Sequence, residues 1–187
     1  MQKLIKVYGL PNFKSNMDYF QSLLKYIVFQ QLNWKAANTI HQRLINLSPN
    51  NKVTPQRIVK LKNEEMVQVG LSFQKIDYIK NLADFFSNNI FDCNTVRKMS
   101  DKEISAKLIE IKGIGQWTVD MFLIFSLMRE DVFPSGDLAI QKGFCILNDL
   151  DSKPSIDEIN ESSKLWKPYR TIASWYLWKL IDGQTEW

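Results

Sequence analysis

Histidine and cysteine are nearly missing from this chain: its 187 residues include one histidine and two cysteines. Cys93 and Cys145 lie far apart in sequence. They cannot make a four-cysteine iron–sulfur site, a zinc finger or a disulfide framework, and they read as reduced core residues of an intracellular protein. His41 sits mid-helix beside Gln42 and Arg43 and reads as a solvated residue, neither ligand nor base. Long apolar runs are missing too. The most apolar stretch, Met121 to Met128, is far too short to span a bilayer and reads as a buried helix, so no membrane partner is expected. The opening residues, Met1 to Lys6, have no apolar signal-peptide core. No five-residue run of Lys or Arg marks a nucleic-acid tail. A net charge of +4 and a pI of about 9.0 still permit an anionic partner without demanding one. Neither a strand pattern nor a sequence repeat is found.

What is present is helical periodicity almost throughout, with 45% hydrophobic residues to build a sizeable core. Phe20, Leu23, Leu24, Ile27 and Val28 fall at helical spacing between Met17 and Gln31. Asn33 is a natural cap for a helix to about Leu47, and Thr54-Pro55 opens a short one. Asn63 to Gly70 and Ser72 to Asn88 follow, the latter with Phe73, Ile76, Ile79, Ala83 and Phe86 on one face. Ser100 and Glu103 form a capping-box pattern for a helix to about Glu110. Further helices are expected over Gln116–Arg129, Leu138–Leu147, Ser155–Lys164 and Pro168–Asp182. The expectation is an all-α fold of about ten short helices.

The informative stretch is Ile111-Lys112-Gly113-Ile114-Gly115-Gln116-Trp117-Thr118, with Asp137 further on. Helix, Gly-Ile-Gly, helix is the form of a helix-hairpin-helix. Glycines at 113 and 115 tolerate positive φ and leave the backbone uncovered. Amides of the turn and of the next helix can then point at one phosphate, with the helix dipole behind them. In this reading Gln116 starts the helix, Thr118 adds a hydroxyl donor and Lys112 adds charge, while Ile114 plugs the turn into the core. A helix C-cap and tight turn with no ligand explains the glycines equally well.

Three segments carry a resemblance. They are Ile-Lys-Gly-Ile-Gly-Gln-Trp-Thr-Val-Asp-Met-Phe, Asp-Val-Phe-Pro-Ser-Gly-Asp-Leu-Ala-Ile-Gln-Lys-Gly and Trp-Lys-Pro-Tyr-Arg-Thr-Ile-Ala-Ser-Trp-Tyr-Leu-Trp. Together with Ile-Val-Phe-Gln-Gln-Leu-Asn at 27–33, they resemble the helix-hairpin-helix DNA glycosylase superfamily (HhH-GPD). Within it the best match is the alkylation-repair branch of 3-methyladenine DNA glycosylase II. The likeness runs over roughly residues 15 to 182, in a compact form without the N-terminal β domain of some members.

The resemblance implies two helical subdomains with an active-site cleft between them. One would span about 30–130 and carry the hairpin, 104–129. The other would combine about 1–29 with 131–187. It implies a monomeric, intracellular, monofunctional DNA glycosylase that needs no cofactor. The enzyme would hydrolyse the N-glycosidic bond of 3-methyladenine, and of 7-methylguanine, in double-stranded DNA and leave an abasic site. A non-catalytic hairpin module that binds DNA shape, and a glycosylase for oxidised bases, are the alternatives.

Asp137 is the expected catalytic residue. It follows Pro-Ser-Gly at the start of a helix, where Asp is also a favoured N-cap, and the two roles are compatible. Cleavage passes through an oxocarbenium-like sugar, which an adjacent anion stabilises. An N-alkylated purine leaves as a neutral base, so a second carboxyl acid is not required. Lyase relatives carry a hairpin lysine where this chain has Trp117.

By resemblance Trp117 and Trp178 line the base pocket, with Met121 and Leu138 where relatives often have aromatics. Electron-rich rings suit a cationic base that has been flipped out of the duplex. Tyr169, Trp175 and Tyr176 read as core. Gln31 aligns with the wedge that fills the vacated stack, and Gln30 is assigned either to the wedge or to holding the neighbouring turn. Both glutamines also suit a polar helix terminus. A structural monovalent cation on the carbonyls of Ile109, Ile111 and Ile114 is a further implication.

Overall fold

The computed structural model describes residues 1–182, and among these every regular element is helical. The elements are α1 (Gln2–Tyr8), α2 (Tyr19–Phe29), α3 (Trp34–Asn46), α4 (Pro55–Lys60), α5 (Asn63–Gln68), α6 (Phe73–Asn88), α7 (Cys93–Val96), α8 (Asp101–Ile109), α9 (Gln116–Phe125), α10 (Leu138–Leu147), α11 (Ile156–Ser163) and α12 (Arg170–Asp182). Single 3₁₀ turns follow α3 and α11. The all-α expectation holds, and no described helix is long and apolar enough to cross a membrane.

The caps explain where helices begin. Asn33, Thr54, Ser72 and Ser100 each accept a backbone N–H with their side chains, and Glu103 closes the box at Ser100. Two helices escaped the sequence reading. α1 has no side-chain cap, and α7 is a single turn capped by Asp92. α9 stops at Phe125, short of Arg129, because Met128 turns left-handed at φ 57° and the Arg129 N–H folds back to the Leu123 carbonyl.

The chain divides into two compact units. Asn16–Phe122 forms one, and Met1–Ser15 joins the chain from Leu123 onward in the other. This differs from the expected division at both ends, since residues 16–29 fall with the hairpin and the later boundary lies inside α9. Packing gives the reason. Within the first unit Phe20, Leu23, Leu24, Ile27 and Val28 of α2 are buried, as are Ile76, Ile79, Leu82 and Ala83 of α6. Phe122 holds an edge-to-face contact with Tyr19 at 5.0 Å and lies 6.0 Å from the Phe91 ring. Phe73, at the first turn of α6, leaves the expected apolar face and is exposed.

In the other unit α10 and α12 cross closely. A Cβ added at Gly143 would meet the Leu177 carbonyl oxygen at 2.5 Å. The N-terminal stretch joins the same unit: Tyr176 Oη donates to the Gly9 carbonyl (2.6 Å) and Phe13 packs on Phe125. Tyr176 is buried, as expected of core, whereas Tyr169 is exposed. Residues 183–187, which the expected second subdomain included, lie outside the described residues.

Candidate nucleic-acid interface and carboxylate site

The hairpin is built from α8, a six-residue turn and α9. Ile111 N–H donates to the Leu108 carbonyl and Ile114 N–H to that of Ile111 (2.9 Å), while both isoleucine side chains are buried and anchor the turn. Gly113 has φ 103°, and a Cβ there would sit inside the Tyr78 ring. Glycine is therefore required at 113 twice over. Gly115 differs from expectation: its φ is not left-handed, and a Cβ would meet nothing within 4 Å. Its smallness serves open space outside the protein.

The amides divide accordingly. Thr118 and Val119 donate back to the Gly115 carbonyl (3.0 and 3.2 Å). Among the described residues no acceptor takes the N–H of Gly115 or Gln116. Two free donors thus head α9, where the helix dipole favours an anion. Exposed Lys112 precedes them. The Gln116 side chain is braced at both ends, accepting from Ser105 Oγ (3.3 Å) and donating to Asp120 (2.8 Å). Trp117 is half-buried.

Thr118 does not reach outward as expected. It is 1% exposed, and its hydroxyl oxygen accepts from Gln30 Nε2 at 2.9 Å. The same Nε2 donates to the Gly113 carbonyl at 2.9 Å. Gln30 therefore holds the hairpin turn, with its amide engaged there rather than available as a wedge. Gln31 is exposed and left-handed at φ 56°, a conformation that presents one side chain at a sharp chain reversal. Lys75 was not anticipated at all. Its ammonium donates to the carbonyls of Val28 (2.6 Å) and Gln30 (2.8 Å), and burial holds it below the ordinary lysine value.

His41 is also not the solvated residue expected. It packs edge-on to Phe29, and burial, followed by the charge of Lys25, pushes its pKa down to about 4.

In the other unit Asp137 caps α10. One carboxylate oxygen, Oδ1, accepts from the N–H of Ala139 (2.8 Å) and Ile140 (3.0 Å), and from Trp178 Nε1 (3.3 Å). The residue is 9% exposed. The loop that delivers it is tied down at several points. Gln141 Nε2 donates to the Ser135 carbonyl (2.7 Å). Arg170 forks onto both oxygens of Asp131 (2.6 and 2.8 Å), holding that carboxyl below the usual range. Thr171 Oγ1 donates to the Arg129 carbonyl (2.6 Å) and accepts the Val132 N–H.

The expected pocket residues separate by exposure. Leu138 is 68% exposed, whereas Trp178 is 1% exposed and tilted against Phe125 at 5.7 Å. Trp178 supports the carboxylate more than it offers an open ring face. Met121 is wholly buried and presents no surface to a base. Asp137, Leu138 and Trp178 belong to one unit; the hairpin, Trp117, Met121, Gln30 and Gln31 belong to the other. No cluster of His, Cys, Asp and Glu among the described residues suits a metal. Of the hairpin carbonyls considered for a cation, that of Ile111 already accepts the Ile114 N–H and retains one lone pair.

Comparison with known proteins places these features in context. Residues 24–168 match the family described as HhH-GPD superfamily base excision DNA repair protein. The DNA-3-methyladenine glycosylase 1 of Schizosaccharomyces pombe is 36% identical over 185 residues, covering 95% of this chain and 80% of that protein. The solved structure of the S. pombe 3-methyladenine DNA glycosylase in complex with abasic DNA superimposes with a TM-score of 0.88, at 36% identity, over 99% of this chain and 93% of that one. The crystal structure of a Bacillus halodurans DNA-3-methyladenine glycosidase gives a TM-score of 0.80 at 34% identity, over 95% of this chain and 82% of that chain.

Proposed function

This chain belongs to the HhH-GPD superfamily of base excision DNA repair proteins, and from that premise we propose that it is a monofunctional DNA glycosylase for alkylated purines. Its substrates are 3-methyladenine and 7-methylguanine in duplex DNA, its product is an abasic site, and it works inside the cell. The observation that carries the reading is Asp137, with Oδ1 fixed by two helix amides and the Trp178 indole. A carboxylate so oriented cannot reorganise during reaction, which is what electrostatic stabilisation of a developing cation requires.

The residues divide the work. The free N–H groups of Gly115 and Gln116, with Lys112, hold a phosphate beside the lesion. Gln31 enters the stack as the base leaves it. Trp117 offers its ring to the extruded base, and a cation–π contact there contributes roughly 0.5–2 kcal/mol. As the glycosidic bond breaks, its electron pair goes to the purine, which departs neutral. Asp137 stabilises the sugar cation and orients the water that adds to it. The water's proton passes to the carboxylate and then to solvent. Trp117 stands where a lyase would carry its amine, so no Schiff base forms. No cofactor takes part. A monovalent cation on the carbonyls of Ile109, Ile111 and Ile114 would add charge beside the phosphate and no reacting group.

Release of free methylpurines from methylated DNA, followed by chromatography, tests the reading. Wild-type protein is expected to release them and Asp137→Asn is not. Asparagine also caps helices well, so the substitution removes the charge and keeps the cap. Duplex binding without base release by the wild type would make this a binding module instead. A covalent adduct trapped by borohydride would contradict the monofunctional mechanism.

A further inference from the structure

One face of α6 touches two turns that the proposed reaction uses separately. Lys75 reaches the last turn of α2 and donates to the carbonyls of Val28 and Gln30. Three residues on, Tyr78 lies under Gly113. Three residues further, Asn81 Nδ2 lies 3.5 Å from the Lys112 carbonyl. Gln30 closes the circuit, because its backbone carbonyl is held by Lys75 while its side-chain amide holds Gly113 and Thr118. The next residue is Gln31, exposed and left-handed.

A helix end leaves carbonyls without donors, and water or a C-terminal glycine commonly satisfies them. Here a half-buried ammonium does so, at the cost of its own desolvation. What the ammonium adds over water is a fixed position. It sets the plane of the Gln30–Gln31 peptide, whose other side is tied to the hairpin through the Gln30 amide. The strained backbone at Gln31 is thereby determined from both directions.

We propose that Lys75 and Gln30 form a brace that fixes the inserting side chain of Gln31 relative to the phosphate-binding hairpin, so that gripping the backbone and entering the base stack happen as one rigid-body event. Lys75 touches neither base nor phosphate in this scheme and is a positioning residue. The inference rests on the reading of Gln31 as the inserted residue.

The test combines Lys75→Met, Gln31→Ala and their double variant, with Lys75→Arg as rescue and Gln30→Met as a second way to cut the brace. Two readouts are taken on the full chain. One is single-turnover release of methylpurines from methylated duplex. The other is fluorescence of 2-aminopurine placed beside a tetrahydrofuran abasic analogue, which reports stack opening without any base release. Lys75→Met and Gln31→Ala are each expected to lower both signals about tenfold, the size of losing a charged hydrogen bond. The double variant should be no worse than Gln31→Ala alone, since coupled residues are non-additive. Lys75→Arg should recover most of the loss, Gln30→Met should lose at least as much of both signals as Lys75→Met, and the affinity of Lys75→Met for undamaged duplex should stay within about twofold of wild type.

Multiplying effects in the double variant would overturn the brace. So would slow release with a full 2-aminopurine response, or a parallel loss of undamaged-duplex affinity in Lys75→Met. If the wild type releases no methylpurine, the substrate reading fails. The 2-aminopurine response at the abasic analogue, and its dependence on Lys75, still decides the brace.

Discussion

Two helix N-termini in this molecule meet the same problem in opposite ways. α9 starts behind Gly115, which has no side chain to cap it, and the N–H groups of Gly115 and Gln116 find no protein acceptor among the described residues. α10 starts behind Asp137, whose own carboxylate takes the N–H groups of Ala139 and Ile140. One end is left open to an external anion, and the other holds an anion of the chain. The partial positive charge at a helix start serves both. In the proposed mechanism the first recruits a phosphate, and the second fixes the direction of the carboxylate assigned to the reaction. Residues around each end follow suit: Tyr78 leaves no room for a Cβ at Gly113, while Trp178, Gln141 and Arg170 immobilise Asp137 and its loop.

The sharpest way to break the contrast is at Asp137. Asp137→Asn keeps a cap and should cost about 10²–10³-fold in single-turnover base release. Asp137→Ala should cost as much in rate and, in addition, about 1 kcal/mol in urea-unfolding stability. Equal stability of the two variants would mean that the cap contributes nothing at α10.

The two units should also part company in acid. His41 belongs to the hairpin unit and titrates near 4 in the folded chain, against 6.5 unfolded. Protonation therefore favours the unfolded state. The stability His41 confers is fully present above pH 6.5 and is lost as pH falls from 6.5 toward 4, by up to on the order of 3 kcal/mol. The opening free energy of α3, read from hydrogen exchange after correction for the intrinsic rate at each pH, should fall over that range while that of α10 does not follow. His41→Phe should abolish the difference.

Gly143→Ala tests the carboxylate end from behind. The new methyl meets the Leu177 carbonyl, so α12 must shift next to Trp178, at about 1–3 kcal/mol by thermal denaturation. Base release should slow while affinity for undamaged duplex stays unchanged. The smallest effect is expected from making the open end resemble the closed one. Gly115→Asp supplies an internal cap and should weaken duplex binding about tenfold, more than Gly115→Ala, since the open space around Gly115 accommodates a methyl.

How much of this could be read from the chain depends on how local each signal is. The Ser100–Glu103 box, the Thr54-Pro55 start and the Asp137 cap are decided within four residues, and each appears where expected. Gln30 was half legible, as one of two glutamines at a helix end, but only the fold shows its amide on the hairpin. Lys75 was invisible because a lysine on an amphipathic helix reads as solvated. The Arg170–Asp131 fork joins residues 39 apart and leaves no pattern between them. Met121 and Leu138 could not be told apart by type, since one is core and the other surface. The unit boundary was missed because the apolar face of α2 does not say which partner it seeks. Two local signals were overlooked: the Asp92 cap of α7, and Gln141, a polar residue aligned with the apolar face of α10.

The empty space beside Gly115 has a consequence for how damage is found. A grip made of two backbone amides recognises charge and curvature and holds no information about sequence. If the hairpin holds phosphate as proposed, every nucleotide along a duplex offers it the same handhold, and the protein hops from one to the next and loses little at each step. Under the proposed function, discrimination is left to the moment of extrusion, when the carboxylate meets either a cationic purine whose bond to the sugar is ready to part or a sound base that falls back into the stack.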